Sequence, residues 1–342
     1  MTAAMQNTIT ALRVEGLTKR YPVPRGEDVL AVDGIDFEVA RGEVYGFLGP
    51  NGAGKTTTIR MLTGLARPTS GRAQVLGLDL AHDLPRIKKR IGVVPEASNL
   101  YAELSALDNL LFCMQLYGVP RAERTPRATA LLDQFRLADK QDTPFARLSR
   151  GMKRSLTVAA ALAHRPELVF LDEPTTGLDV ASARGLRATI DQLRSQAVTV
   201  FLTTHYLEEA ERLCDRIALI ARGRIVTVDT VEGLRARVAG TTAVELTVEG
   251  ADGTSETRRI AGSDVESALH AALAQAQGQR VLAVNTVQPT LEDAFVQLTG
   301  IGEKPTQSRG RTSTVGRPGH KSENGAKTQR AASDRLRSAG PG

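Results

Sequence analysis

No stretch of this 342-residue sequence is long and apolar enough to cross a bilayer as a helix. Its longest apolar stretches, such as Ser155–Ala163 and Glu167–Leu171, fall far short of the roughly 18–20 residues that a span requires. The segment Met1 to Thr10 lacks a basic stretch followed by an apolar one, so no secretory leader is evident. Cysteine is scarce: Cys113 and Cys214 sit in apolar helical contexts without metal-ligand spacing. That placement predicts two buried, reduced thiols. Net charge is missing from the body of the chain as well. The formal net charge is +6, but Glu303 to Gly342 hold nine Lys/Arg against three Asp/Glu, so the residues before them are balanced. A balanced body offers no broad footprint for DNA or RNA. No internal repeat is apparent. These absences predict a soluble, intracellular chain.

What is present is concentrated. Residues 49–56 read Gly-Pro-Asn-Gly-Ala-Gly-Lys-Thr, a full match to the phosphate-loop pattern G-x-x-x-x-G-K-[ST]. The pattern closes a short apolar run, Glu43–Leu48, and opens an amphipathic one, Thr57–Leu62. Strand, loop and helix in that order are what a phosphate cradle needs. Gly49, Gly52 and Gly54 let the backbone curl so that successive N–H groups face one anion. The helix N-terminus behind them adds about half a positive charge. Lys55 is placed to reach the β- and γ-phosphates, and the Thr56 hydroxyl to ligate Mg²⁺. The reading is a nucleoside-triphosphate site.

Around that loop the sequence divides into segments. Leu12–Leu17 and Ile35–Val39 alternate apolar and polar residues, as half-buried strands do. Residues 105–136 are mostly helical in pattern, interrupted at Pro120 and resuming from Ala128 to Phe135. From 148 onward helices (Gly151–His164, Ala181–Gln196) alternate with buried strands (Leu168–Leu171, Val198–Leu202). That alternation predicts an α/β fold with a parallel sheet and an inserted helical subdomain at about 97–150. A boundary is expected near Asp229–Gly240, dividing a 9–238 nucleotide-binding domain from a small α+β domain at 239–301. The latter's expected elements are strands at Ala243–Glu249, Glu256–Ile260 and Arg280–Val287, with helices at Asp264–Gln275 and Leu291–Thr299. Residues 302–342 are Gly-, Ser-, Thr- and Arg/Lys-rich with almost no apolar side chains, which predicts a disordered basic tail.

The strand Leu168–Leu171 runs into two carboxylates. Asp172 at the strand's carboxyl end suits Mg²⁺, and Glu173 suits an attacking water as base or polariser. Further segments complete a set: Leu148-Ser149-Arg150-Gly151-Met152 upstream, Gly177-Leu178-Asp179 downstream, Thr203-Thr204-His205 ending the next buried strand, and Ile91–Glu96 between loop and insert.

With these motifs in this order, residues 9–300 resemble the nucleotide-binding subunit of an ATP-binding-cassette (ABC) transporter. Within that superfamily the chain is similar to stand-alone ATPases of bacterial exporters of the daunorubicin-resistance type. That flavour comes from Asp172–Asp179, from Thr204–Glu211, and from Pro289-Thr290-Leu291-Glu292-Asp293-Ala294-Phe295. The resemblance implies a P-loop ATPase with a parallel-sheet core, an antiparallel β subdomain and the helical insert. It implies MgATP held by Gly49, Pro50, Asn51, Gly52, Ala53, Gly54, Lys55, Thr56 and Thr57, with Tyr21 stacking on adenine. Asp172 joins Thr56 as a metal ligand, Glu173 is the base, and His205 senses the γ-phosphate. Ser149 and Gly151 are implied to contact the γ-phosphate bound to the opposite subunit of a dimer, and Asp179 to belong to the loop that crosses the dimer interface. Physically, one subunit leaves that phosphate's outer face bare, and a second helix N-terminus can cap it.

Three positions depart from the common family form. Arg150 and Met152 flank the surviving Gly151 in the signature motif. Glu96 stands where the family usually has Gln; it is expected to keep the role of coupling Mg²⁺ and water to the membrane partner, and to tighten Mg²⁺ dependence. The implied partners are a second copy of the chain and a separate transmembrane permease docking near Glu96–Asp108. The implied location is peripheral, on the cytoplasmic face of the cell membrane, held there by the permease. Drug, lipid, polysaccharide and ion cargoes all stay open. The competing reading is a soluble ABC ATPase acting on nucleic acid or the ribosome, supported by the basic tail. The single cassette, the neutral body and the lack of a long heptad-rich insertion oppose it, so no nucleic-acid partner is expected. The 243–299 domain is open to a role in assembly, and the tail to holding anionic lipid.

Overall fold

The computed structural model describes residues 10–301, apart from 25, 239–241, 250–253, 263, 277 and 288. The basic tail expected at 302–342 lies outside the described residues.

In chain order, β1 (Thr10–Tyr21), β2 (Val29–Ala40) and β3 (Val44–Leu48) lead through the loop 49–54 into α1 (Lys55–Leu62). Then come β4 (Ser70–Val75), β5 (Leu78–Asp79), α2 (Leu84–Lys88) and β6 (Ile91–Val94). Three helices follow, α3 (Ala106–Leu116), α4 (Arg121–Gln134) and α5 (Arg150–Leu162). The chain then alternates through β7 (Leu168–Asp172), α6 (Val180–Ser195), β8 (Thr199–Thr204), α7 (Leu207–Leu213), β9 (Arg216–Ala221), β10 (Arg224–Asp229) and α8 (Val231–Arg237). It ends with β11 (Thr242–Glu249), β12 (Ser255–Gly262), α9 (Val265–Gln275), β13 (Val281–Val287) and α10 (Leu291–Thr299).

The central sheet has strand order β10-β9-β3-β8-β7-β6. All its pairings are parallel except β9 with β10. Every residue of β3, β7 and β8 is buried, as strands covered on both faces must be. Alternate residues feed two separate cores, because successive side chains of a strand point to opposite faces. Tyr45, Phe47, Phe170 and Phe201 join Phe37 of β2 on one face, with ring centroids 5.5–5.9 Å apart. Val44, Leu48, Val169, Leu171, Val200 and Leu202 pack on the other face against α5, α6, α7 and α8. A second, antiparallel sheet in the order β2-β1-β4-β5 covers the aromatic side. Residues of α3, α4 and α5 share a third core, built on Leu110, Met114, Leu132 and Leu156. The α/β class, the antiparallel subdomain and the helical insert all appear as the sequence predicts.

Three details differ from the sequence reading. α4 starts at Arg121 rather than Ala128 and carries Pro126 inside it. Pro120 is the N-cap, and Pro126, the helix's sixth residue, forfeits the backbone bond that its N–H would make to the Ala122 carbonyl. Cys214 is buried, its thiol pushed up by that burial, but Cys113 is only half-buried; both are free. The segment 216–237, where periodicity is weak, supplies β9, β10 and α8. Beyond it β11, β12 and β13 form a three-stranded antiparallel sheet in the order β12-β11-β13. Their core with α9 centres on Val244, Leu246, Val248 and Ala272. α10 leaves that small core: Leu291, Ala294 and Phe295 pack with Val231, Leu234 and Val238 on the central sheet's helical side.

Candidate nucleotide site

The loop after β3 ends on Gly54, whose φ of +106° is open to glycine alone, and a Cβ there would stand 2.6 Å from the Ala31 carbonyl. Lys55 begins α1 and is buried, its Nζ donating to the carbonyls of Gly49 (2.7 Å) and Pro50 (3.2 Å). The same ammonium stands 3.0 Å from Glu173 Oε1. Its direction does not make that contact a hydrogen bond, and Oε1 is buried with no hydrogen-bond partner. Glu173 itself holds a left-handed φ of +47°, a conformation that costs a non-glycine residue about 1–2 kcal/mol. Its Oε2 lies 2.7 Å from His205 Nδ1, so the residues expected as base and switch meet.

β7 and β8 deliver the remaining groups side by side. Asp172 Oδ1 accepts from Thr56 Oγ1 at 3.2 Å and from Thr203 Oγ1 at 2.7 Å. Thr203 Oγ1 also accepts from the Glu173 N–H at 3.1 Å, so one hydroxyl orients both carboxylate residues. Among the described residues no three His, Cys, Asp or Glu side chains gather as a self-sufficient metal site. Thr56 and Asp172 do fit Mg²⁺ in the way that suits it: two hard oxygen donors beside a phosphate cradle, with phosphate and water left to complete the shell.

These groups line one cleft of about 680 Å³, which brings together Tyr21, Asn51, Gly52, Gly54, Lys55, Thr56, Thr57, Glu96, Glu173 and His205. Val29, Ala31, Thr176 and Tyr206 line it too. The sequence reading missed these four; Tyr206, tilted over the His205 ring at 4.0 Å, was the legible one, as an aromatic next to the switch histidine. Tyr21 is half-buried at the end of β1, with Lys19 Nζ 4.9 Å from its ring centroid.

Arg154 of α5 is a further residue that the motifs did not predict. Its guanidinium is buried and donates to five backbone carbonyls: Pro95, Glu96, Asp172, Glu173 and Pro174. It therefore ties the signature helix to the Glu96 loop and to the end of β7. Burial holds its pKa below the usual arginine value.

Ser149, Gly151 and Asp179 do not line the cleft of their own chain. Ser149 is the N-cap of α5 and accepts from Met152 N–H; Asp179 is the N-cap of α6 and accepts from Ser182 N–H at 2.8 Å. Gly151 has a reason within the chain: a Cβ there would lie 2.2 Å from Ser182 Oγ. Arg150 reaches the Gly177 carbonyl at 3.4 Å, which links the two segments.

A phosphate loop on a parallel sheet, followed by a carboxylate pair and a histidine on adjacent strand ends, defines a P-loop ATPase. The chain belongs to the ABC transporter ATP-binding family. The ABC transporter family profile matches residues 32–176. The chain is 36% identical over 310 residues to the linearmycin resistance ATP-binding protein LnrL of Bacillus subtilis, spanning 84% of this chain and 98% of that one. It is 37% identical over 311 residues to the daunorubicin/doxorubicin resistance ATP-binding protein DrrA of Streptomyces peucetius, spanning 85% and 92%. Among solved structures, the ATP-binding subunit of an ABC transporter superposes with a TM-score of 0.61 at 30% identity, covering 67% of this chain and 93% of that one. The dimeric bacterial ABC transporter cassette MJ0796 gives 0.60 at 25% identity, covering 64% and 98%.

Proposed function

We propose that this ATPase powers a two-component exporter: two copies close around two MgATP and drive transport through a separate membrane protein. The observation that carries the reading is the convergence of Lys55, Thr56, Glu173 and His205 in one cleft, with Asp172 hydrogen-bonded to Thr56 beside it. Thr56 and Asp172 would hold Mg²⁺, which neutralises phosphate charge when bound. Entry of the triphosphate gives Lys55 an anion to replace Glu173 and its own loop carbonyls. Glu173, released from Lys55 but still held by His205, then faces the attacking water as base. Glu96 keeps the coupling role, with its backbone carbonyl anchored by Arg154. Ser149 and Gly151 cap the γ-phosphate of the partner, and Asp179 lies at that interface. Their absence from the cleft of their own chain and the dimeric form of MJ0796 support this. Hydrolysis removes the bridging phosphate and reopens the pair.

Antibiotic-type cargo is supported by the drug-resistance relatives. Among the described residues no helix is long and apolar enough to cross a membrane, which fits a peripheral subunit held by a permease at the cytoplasmic face. The 239–301 segment is read as an accessory domain. The test is ATP turnover of the purified chain against Glu173→Gln, with size-exclusion chromatography in MgATP. Turnover lost together with a trapped ATP-dependent dimer is expected; unchanged turnover or a strict monomer overturns the mechanism.

A further inference from the structure

Glu209 stands on α7, behind the switch histidine, and is 4% exposed. Its Oε2 accepts from Thr204 Oγ1 at 2.7 Å and from Thr175 Oγ1 at 2.9 Å. Thr204 directly precedes His205, and Thr175 lies two residues beyond Glu173. Thr204 Oγ1, having given its proton to Glu209, accepts from Tyr206 N–H at 3.0 Å, so the backbone on both sides of His205 is fixed through one carboxylate. Thr203 and Thr204 point to opposite faces of β8 and serve different acids, Asp172 and Glu209.

We infer that Glu209 is a positioning residue for hydrolysis: it sets the His205 segment against the Glu173 segment and so fixes the pairing of base and switch. It touches neither the cleft nor the reacting atoms. A purely structural carboxylate here would be a costly choice. Oε1 is buried without a hydrogen-bond partner, and Glu173 lies close enough to push the Glu209 pKa up further, on top of burial. Arg187 of α6 is the cation that offsets this, in part. Replacing the acid with an apolar side chain would remove the desolvation cost but would release both threonine hydroxyls.

The inference rests on the assignment of Glu173 and His205 as the water-activating pair. Glu173→Gln tests that assignment separately: if it leaves turnover intact, the pair is wrong whatever Glu209 does. Glu209→Ala is expected to lower kcat at least tenfold with KM for ATP within about threefold. Glu209→Gln, whose amide oxygen still accepts from both hydroxyls, is expected to recover most of that loss. The double variant Thr175→Val/Thr204→Val preserves volume, keeps Glu209 and removes its two donors together with the Thr204 acceptor of the Tyr206 N–H; it is expected to show the same kcat-selective loss, also when Glu209→Ala fails to fold. Adding Glu209→Ala to it should bring little further loss, since the pair has already removed both hydrogen bonds to the carboxylate. Three results would overturn the inference: kcat within threefold of wild type in the threonine pair, equal impairment in Gln and Ala variants, or additive losses.

Discussion

β7 and β13 are both short and apolar, and Asp172 is the one charged residue between them, yet they end in opposite conditions. Every residue of β7 is buried, whereas Val281, Leu282 and Val284 of β13 are 39%, 48% and 40% exposed. The cause lies in what covers each. β7 is an inner strand between β6 and β8, with side chains fed into two cores. β13 is the edge of a small sheet whose helix α9 packs on β11 and β12. Burial on both faces leaves a strand only its ends for polar groups, and there each polar group must find a partner. At the end of β7 Asp172 finds two threonine hydroxyls. The geometry of the candidate site thus follows from how completely the central strands are buried, and the end of β13 has no such burial to build on.

The largest break in that contrast is Phe201→Ala, at the ring cluster's centre on β8. Emptying a fully buried aromatic site is expected to cost about 3–5 kcal/mol, read as the loss of unfolding free energy in urea. Next is Thr203→Val, nearly isosteric, which leaves the Glu173 N–H and Asp172 Oδ1 short of a partner. A loss of about 1–3 kcal/mol is expected, with turnover falling more than tenfold while global fold by circular dichroism is kept. Intact turnover would mean that Thr203 does not orient the carboxylates.

Much of this contrast was legible in the sequence. Strand pattern, phosphate loop and the run into Asp172-Glu173 lie within short windows, where local chemistry dictates local structure. The β9–α8 segment was not legible, because Arg216–Asp229 reads as a weak strand pair until the antiparallel partner is known. Arg154 and Glu209 were illegible for a related reason. Their partners lie 18–59 and 5–34 residues away, and no periodicity encodes a guanidinium turned onto five carbonyls. Gly151 is expected from the sequence to face phosphate, but its close approach to Ser182 came only with α5 and α6 packed together. The departure at Arg150 became interpretable once Gly177 appeared beside it.

A smaller effect tests the other end of the central sheet. Glu167 precedes β7 and pairs with Arg90, Nη2 to Oε2 at 2.8 Å, and with Arg41 at 3.1 Å. The Arg90 hydrogen bonds hold its carboxyl below the usual glutamate range. A depressed folded pKa means stability that is present above the unfolded value and lost as pH falls through the folded one. Glu167→Gln is therefore expected to lose less than about 1 kcal/mol at pH 7, because the pair is partly exposed, and to match wild type below the folded pKa. A difference that persists unchanged in acid would assign the effect to packing. ATP turnover should not change, since the proposed nucleotide cleft lies at the strands' opposite ends.

The smallest effect sharpens the comparison most. Val284 lies on the edge strand β13, 40% exposed, directly opposite Leu246, which is buried under α9 in the neighbouring strand. Both residues belong to one rung of one sheet, so register and local strand pairing are held constant between them. Leu246→Ala empties a closed core and is expected to cost about 2–5 kcal/mol in the unfolding of the small sheet. Val284→Ala removes a side chain that already meets water, and its cost should stay within about 0.5 kcal/mol. Hydrogen exchange of the β11 amides reads both variants on the same scale, as a local unfolding free energy. If Val284→Ala approached the Leu246 value, the side chain would be covered in solution, and the contrast between a buried inner sheet and an open outer one would fail at this rung.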